Sequence, residues 1–258
     1  MLLNSYVSIR AWAYVSVSLC LCYINVHVIM AAPQGDLIAR ALAVHPNGRE
    51  VACGDRRGLL HIYDLTRMEP AASLSAQGLP AHEAEILTLD YSPYMSSSAI
   101  LPAAASAAKE PEKDLVLLAS GGRDRLVHIC DASDSTTKPE ARYSLVRTLD
   151  NHSSSVTVVK FSADGSRLVS CGGDKTMVLS SVKGREVSRV KSIQTPHGTI
   201  NGIALDTATS KFAISAGQDK RVNVWNMMSG KLMRTYRPEG VKGELFKCAM
   251  DPSGESFR

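Results

Sequence analysis

A serine, a histidine and an aspartate recur together along this chain, and the three types in one set could do acyl-transfer chemistry. His152 stands twenty-two positions before Asp174 and His197 the same distance before Asp219, while His82 and Asp124 are forty-two apart. The excess of twenty in the last pair is close to the length of an interposed stretch of nineteen residues, MSSSAILPAAASAAKEPEK. Ser120, Ser170 and Ser215 each lie four residues before the aspartate. A catalytic set occurs once, whereas this one returns with a fixed period, as structural hydrogen bonding requires. No catalytic residue is therefore expected.

Other chemistry finds less support. Gly172-Gly173-Asp174-Lys175-Thr176 lacks the G-x-x-x-x-G-K spacing of a phosphate loop. The six cysteines, at 20, 22, 53, 130, 171 and 248, form no C-x-x-C pair, and no histidine or cysteine stands at ligand spacing from another. No metal and no cofactor are expected. The last four cysteines sit in apolar runs, which reads as reduced, intracellular usage. Asn151-His152-Ser153 is formally a glycosylation sequon, but its histidine belongs to the repeated pattern.

The elements that carry these residues repeat as well. Apolar alternating runs open each unit: ARALAVHPNG, EILTLDYSP, SVTVVKFSADG, INGIALDTATS and ELFKCAMDPSG. A second run ends in small residues (REVACGD, LVLLASGG, RLVSCGG, KFAISAG), a turn with Asp or Arg follows, and a third run closes (GLLHIYD, RLVHICD, TMVLSS, RVNVWN). With a looser fourth run, such as YSLVRTLDNH or KLMRTYRPEG, the period is about 40 to 45 residues, that of a propeller blade. The fold expected is all-β, a β-propeller portion over residues 36–258 of about four and a half blades.

With 258 residues, 45% apolar, the chain can bury a substantial core. A net charge of +4 spread along it does not imply a nucleic-acid partner, and none is expected. Residues 1–35 are an apolar leader whose run AWAYVSVSLCLCYINVHVIMA could be a signal, a membrane anchor, the remnant of an upstream domain or a mispredicted segment. A membrane partner is expected only if that leader is genuine. The stretch near 95–113, rich in Ala, Ser and Pro, reads as a flexible surface insertion.

The repeated pattern resembles the WD-repeat family, in which a His, a Ser or Thr, an Asp and a Trp form a hydrogen-bonded tetrad that braces each blade. Carried onto this chain, the resemblance implies structural roles for His82, Ser120 and Asp124, for His152, Ser170 and Asp174, and for His197, Ser215, Asp219 and Trp225. The Trp position, six after the aspartate, holds Cys130 and Ser180 elsewhere, so only the last set is complete. The first unit departs further, with its turn aspartate shifted in DRRG (Asp55 to Gly58) and Tyr63-Asp64 in place of the WD dipeptide.

The phrases AHEAEILTLDYS, LLASGGRDRLVHICDA and YSLVRTLDNHSSSVTVVKFSADGSRLVSCGGDK are similar to the WD-repeat scaffolds that bind mitogen-activated protein kinases, including a microcephaly-associated spindle-pole member. That resemblance, over residues 36–258, implies a non-catalytic interaction scaffold of the JNK-pathway type, cytoplasmic and in some relatives centrosomal or cytoskeletal. Kinases or cytoskeletal proteins are the implied partners. The alternatives are a ciliary or cytoskeletal (centrosome- or microtubule-associated) propeller and, from other classes, a propeller enzyme or a membrane-anchored receptor-like protein. Arg56, Arg57, Arg123 and Arg125, at the blade turns, are expected to line one face and contact acidic partners. An incomplete propeller with open edges is expected to oligomerise when expressed alone.

Overall fold

A computed structural model describes residues 39–65, 69–70, 82–95, 115–133, 143–195, 198–207 and 211–250. The leader, most of the insertion and His197 lie outside the described residues.

Sixteen strands form four sheets of four, each an antiparallel meander. Blade 1 is β1 (Ala39–Val44), β2 (Glu50–Asp55), β3 (Leu60–Asp64) and β4 (Glu69–Pro70). Blade 2 is β5 (Ile86–Tyr91), β6 (Leu117–Gly122), β7 (Val127–Asp131) and β8 (Ser144–Leu149). Blade 3 is β9 (Val156–Phe161), β10 (Arg167–Gly172), β11 (Thr176–Lys183) and β12 (Glu186–Gln194). Blade 4 is β13 (Ile200–Leu205), β14 (Phe212–Gly217), β15 (Val222–Asn226) and β16 (Lys231–Tyr236). The all-β propeller fold expected from the repeats is the one observed. The run expected to open a fifth unit forms no strand over residues 244–249, although its backbone lies against Gly202 of β13.

Period-two alternation gives each inner and middle strand two apolar faces, and those faces meet between sheets rather than within one. Three apolar clusters result. One joins blades 1 and 2 through Leu60, Ile62, Ile86 and Leu118, one joins blades 2 and 3 through Leu117, Ile129, Val159 and Leu168, and one joins blades 3 and 4 through Val169, Met177, Ile203 and Trp225. The middle strands β2, β6 and β7 are buried throughout, as sheet interiors covered on both sides must be.

The same irregularity recurs where each inner strand begins. The pairing of inner and second strands slips at Ala39/Ala41, Ile86/Thr88, Cys171/Gly172 and Ile200/Gly202, so Arg40, Leu87, Thr157 and Asn201 occupy bulged positions. A bulge twists the strand and re-aims its side chain. Three of the four side chains are aimed at the following unit: Arg40 pairs with Glu85, Thr157 Oγ1 donates to the Ile200 carbonyl at 2.6 Å, and Asn201 Nδ2 donates to the Leu245 carbonyl at 3.1 Å.

Further polar links cross the same seams. Lys160 Nζ lies 2.6 Å from Asp90 Oδ1, and Asp90 Oδ2 accepts the Phe161 N–H at 2.8 Å. Tyr143 donates to the buried Glu50 carboxylate at 2.8 Å and is hydrogen-bonded to Tyr91 at 2.9 Å. Burial, the neighbouring Tyr91 and the Glu50 charge all drive the Tyr143 hydroxyl's pKa upward, so it stays a donor.

Candidate functional site

Each turn between second and third strands is four-residue geometry closed by a backbone bond across it. In blade 2 the Gly122 N–H meets the Leu126 carbonyl at 3.3 Å and the Arg125 N–H meets that of Gly122 at 3.3 Å. In blade 1 the Asp55 N–H meets Leu59 at 3.0 Å and the Gly58 N–H meets Asp55 at 3.3 Å, which aligns Asp55 with Gly122, Arg57 with Asp124, and Gly58 with Arg125. The last of these positions is left-handed in every turn: Gly58 has φ 86°, Arg125 74°, Lys175 63° and Lys220 59°. Three blades thus hold a basic residue where glycine is the conformationally easy choice.

Within blade 2, His82 is fully buried and lies with Nδ1 2.9 Å from both Asp124 carboxylate oxygens and Nε2 2.8 Å from Ser120 Oγ. Asp124 also accepts the backbone N–H groups of Glu83 at 3.1 Å and Leu126 at 3.2 Å. Burial alone would raise the Asp124 pKa, but the hydrogen bond and charge of His82 and the two N–H groups together hold it below the usual carboxylate range.

Blade 3 repeats the arrangement. His152 Nδ1 is 3.1 Å from Asp174 Oδ2 and Nε2 is 2.9 Å from Ser170 Oγ, with Ser153 N–H donating to Asp174 at 2.9 Å. Thr176 adds a hydroxyl bond of 2.7 Å to the same carboxylate. Burial lowers the His152 pKa despite the opposing pull of Asp174. For Asp174, burial is outweighed by the Thr176 and Ser153 bonds, and its pKa falls.

The Ser, His and Asp distances are those of a charge-relay triad, yet Ser120 and Ser170 are 4% and 3% exposed and occur in register in successive blades. A nucleophile must reach its substrate; these two oxygens instead join a turn to two strands. In this pair of blades the bracing persists with Cys130 and Ser180, both buried, at the Trp position.

Blade 4 has the tryptophan: Trp225 Nε1 donates to Ser215 Oγ at 2.8 Å. Asp219 accepts the Arg221 N–H at 3.2 Å, and its Oδ2 is buried with no partner among the described residues. Blade 1 solves the same problem differently. Asp55 accepts the N–H groups of Arg57 at 2.9 Å and Leu59 at 2.7 Å, and His61 Nε2 from the third strand approaches its Oδ2 at 3.2 Å.

The closing aspartate of blade 2 also has a local task. Asp131 Oδ1 accepts the Ser133 N–H at 3.0 Å and Asp131 forms an ion pair with Arg185 of blade 3. Asn226 accepts the Met228 and Ser229 N–H groups, each at 2.9 Å, in the matching place.

The four expected surface arginines are all exposed at these turns. They are not equivalent. Arg123 Nη2 lies 3.2 Å from Glu85, which Arg40 also pairs, whereas Arg56, Arg57 and Arg125 have no ion pair among the described residues. Exposed Lys175 and Lys220 extend the set into blades 3 and 4. Their signal was available in the repeat itself, as the residue following each turn aspartate.

The structure also gathers a group whose spacing gave no hint of it. Ligand atoms of His82, Asp124 and His128 lie within 4.8 Å of one another, although the histidines are separated by most of a blade in sequence. Among the described residues, no helix is long and apolar enough to cross a membrane. The thiols of Cys53 and Cys130 are buried, free and pushed up to about 12, first by burial and then by Asp55 and Asp131 respectively.

The WD domain, G-beta repeat family profile matches residues 143–179 and 188–226, which carry most of blades 3 and 4. WD repeat-containing protein 62 of Sus scrofa is 36% identical over 223 residues, covering 83% of this chain and 12% of that protein. Mitogen-activated protein kinase-binding protein 1 of Mus musculus is 34% identical over 214 residues, covering 81% of this chain and 12% of that protein. A WD repeat domain-containing protein 83 homolog of Dictyostelium discoideum is 34% identical over 91 residues, 35% of this chain and 27% of that protein. The chain thus spans about an eighth of the length of the first two relatives. With its blade-by-blade clusters and these matches, the chain is a WD-repeat protein, homologous over this stretch to WD repeat-containing protein 62 and mitogen-activated protein kinase-binding protein 1.

Proposed function

We propose that this chain is a non-catalytic interaction platform of the kinase-scaffold type, binding acidic partner surfaces at the end of the blades where the second and third strands turn. The observation that carries the reading is the set of exposed basic side chains on four rigid turns: Arg56 and Arg57, Arg123 and Arg125, Lys175, and Lys220. Four sheets of the same strand order, whose inner strands pack side by side, support a placement of these turns at one end. The buried His, Ser and Asp clusters fix the turns of blades 2 and 3, and Asp55 with His61 that of blade 1, so little ordering is left there for a partner to impose.

The name of one relative says that it binds a mitogen-activated protein kinase, and this supports kinases as the partner class here. Holding two such proteins on one rigid body raises their effective concentration. Free buried cysteines support a reducing, cytoplasmic setting. The test is a pull-down of mitogen-activated protein kinases by the chain and by a variant with Arg56, Arg57, Arg123 and Arg125 all changed to Glu. Loss of capture with an unchanged melting profile supports the reading; undiminished capture removes it.

A further inference from the structure

We propose that blade 2 is a metal site, holding a divalent transition ion of the zinc type between His82, Asp124 and His128. The argument begins with a surplus imidazole. His128 stands opposite Ser120 in the β6–β7 ladder; the corresponding residue is Val178 opposite Ser170 in blade 3 and Asn223 opposite Ser215 in blade 4. Bracing the turn therefore needs no histidine there. In blade 1 the corresponding His61, opposite Cys53, approaches the turn aspartate itself. In blade 2 that aspartate is already held by His82, and a second ring is packed edge-on against the first, centroids 4.3 Å apart at 62°.

The result is an N, N, O donor set within blade 2, from the segment before β5, the β6–β7 turn and β7. The side chains of His82 and Asp124 are 0% and 6% exposed and His128 is 7% exposed, so water competes poorly for the ligand atoms. Tetrahedral zinc with bonds near 2.0 Å wants its ligands about 3.3 Å apart. His82 Nδ1 and Asp124 already stand at 2.9 Å, and one ligand atom from each of the three residues lies within 4.8 Å of the others. Ser120 on His82 Nε2 and Thr148, 2.9 Å from His128 Nδ1, orient the two rings as outer partners do in metal centres.

Binding would place the ion between His82 Nδ1 and Asp124, with the imidazole proton carried on Nε2, where Ser120 Oγ accepts it. Two imidazoles and one carboxylate suit zinc or cobalt over the hard oxygen-seeking ions.

The test is titration of the full chain, stripped with chelator, with cobalt and then zinc. The expected result is one ion bound, a visible cobalt spectrum of nitrogen and oxygen ligation without a thiolate charge-transfer band, and a raised Tm. His128→Val, the residue of blade 3, and His128→Gln, which retains a polar partner for Thr148, should each weaken binding at least tenfold while the metal-free Tm is retained by at least one of them. Absence of binding, a thiolate band, or equal affinity in the folded variant would overturn the assignment.

Discussion

The Cβ that Gly58 lacks would lie 2.1 Å from the carbonyl oxygen of His82, and the His82 N–H donates to the Gly58 carbonyl at 2.9 Å. The turn of one blade thus sits backbone to backbone on the start of the next. Gly58 is also left-handed, at φ 86°, so both space and conformation demand glycine.

Gly58→Ala should therefore destabilise by about 3 kcal/mol or more, combining strain with displacement of a main-chain carbonyl. Gly48, at φ 69° with nothing within 4 Å, isolates the first contribution. Its alanine variant should cost about 1 kcal/mol. Equal losses in chemical denaturation would contradict the seam between blades 1 and 2.

Thr157 tests the bulges. Its hydroxyl is placed 2.6 Å from the Ile200 carbonyl and 3.1 Å from that of Cys171, and valine has nearly its shape. Thr157→Val should cost about 1 kcal/mol and accelerate amide exchange along β9 and β13. Exchange confined to blade 3 would mean the bulge does not tie the blades.

Lys175 occupies a left-handed turn position without being glycine. Lys175→Gly should be neutral or stabilise by up to about 1 kcal/mol, and Lys175→Val should destabilise by about 1 to 2 kcal/mol, read by thermal melting. A loss on going to glycine would show that the lysine side chain itself supports the turn.

His128 and His152 both have folded pKa values below the ordinary histidine value, through burial first. The unfolded chain then binds more protons below about pH 6.5, so stability should fall as pH drops from there towards about 4, and be flat above about pH 7. Asp124 and Asp174, both lowered, extend the loss below about pH 4. In chelator, His128→Val should flatten the upper part of this profile. An unchanged slope between pH 6.5 and 4 would show that His128 binds its proton equally in the folded and unfolded chain.

The strand framework was legible because alternation at period two survives in the inner strands while the buried second strands read as short apolar runs ending in small residues, and the clusters because a brace must recur with its blade. β12, with its pattern EVSRVKSIQ, is largely exposed and charged, so its apolar signal is weak; it is set by pairing with β11 across the Gly184-Arg185 turn, where Gly184 has φ 60°. His128 read as one more strand residue, since nothing local announces which ring packs against it. Arg123 read as a free surface charge because its partner Glu85 comes from the far side of the insertion. Bulges leave no mark in composition, and so the reach of Arg40, Thr157 and Asn201 was hidden.

Hydrogen–deuterium exchange of the chain with and without a bound mitogen-activated protein kinase tests the central claim most directly. The account predicts that protection gained on binding concentrates in the four turns that carry Arg57, Arg125, Lys175 and Lys220. Protection restricted to the opposite ends of the blades, with those turns unchanged, would contradict it.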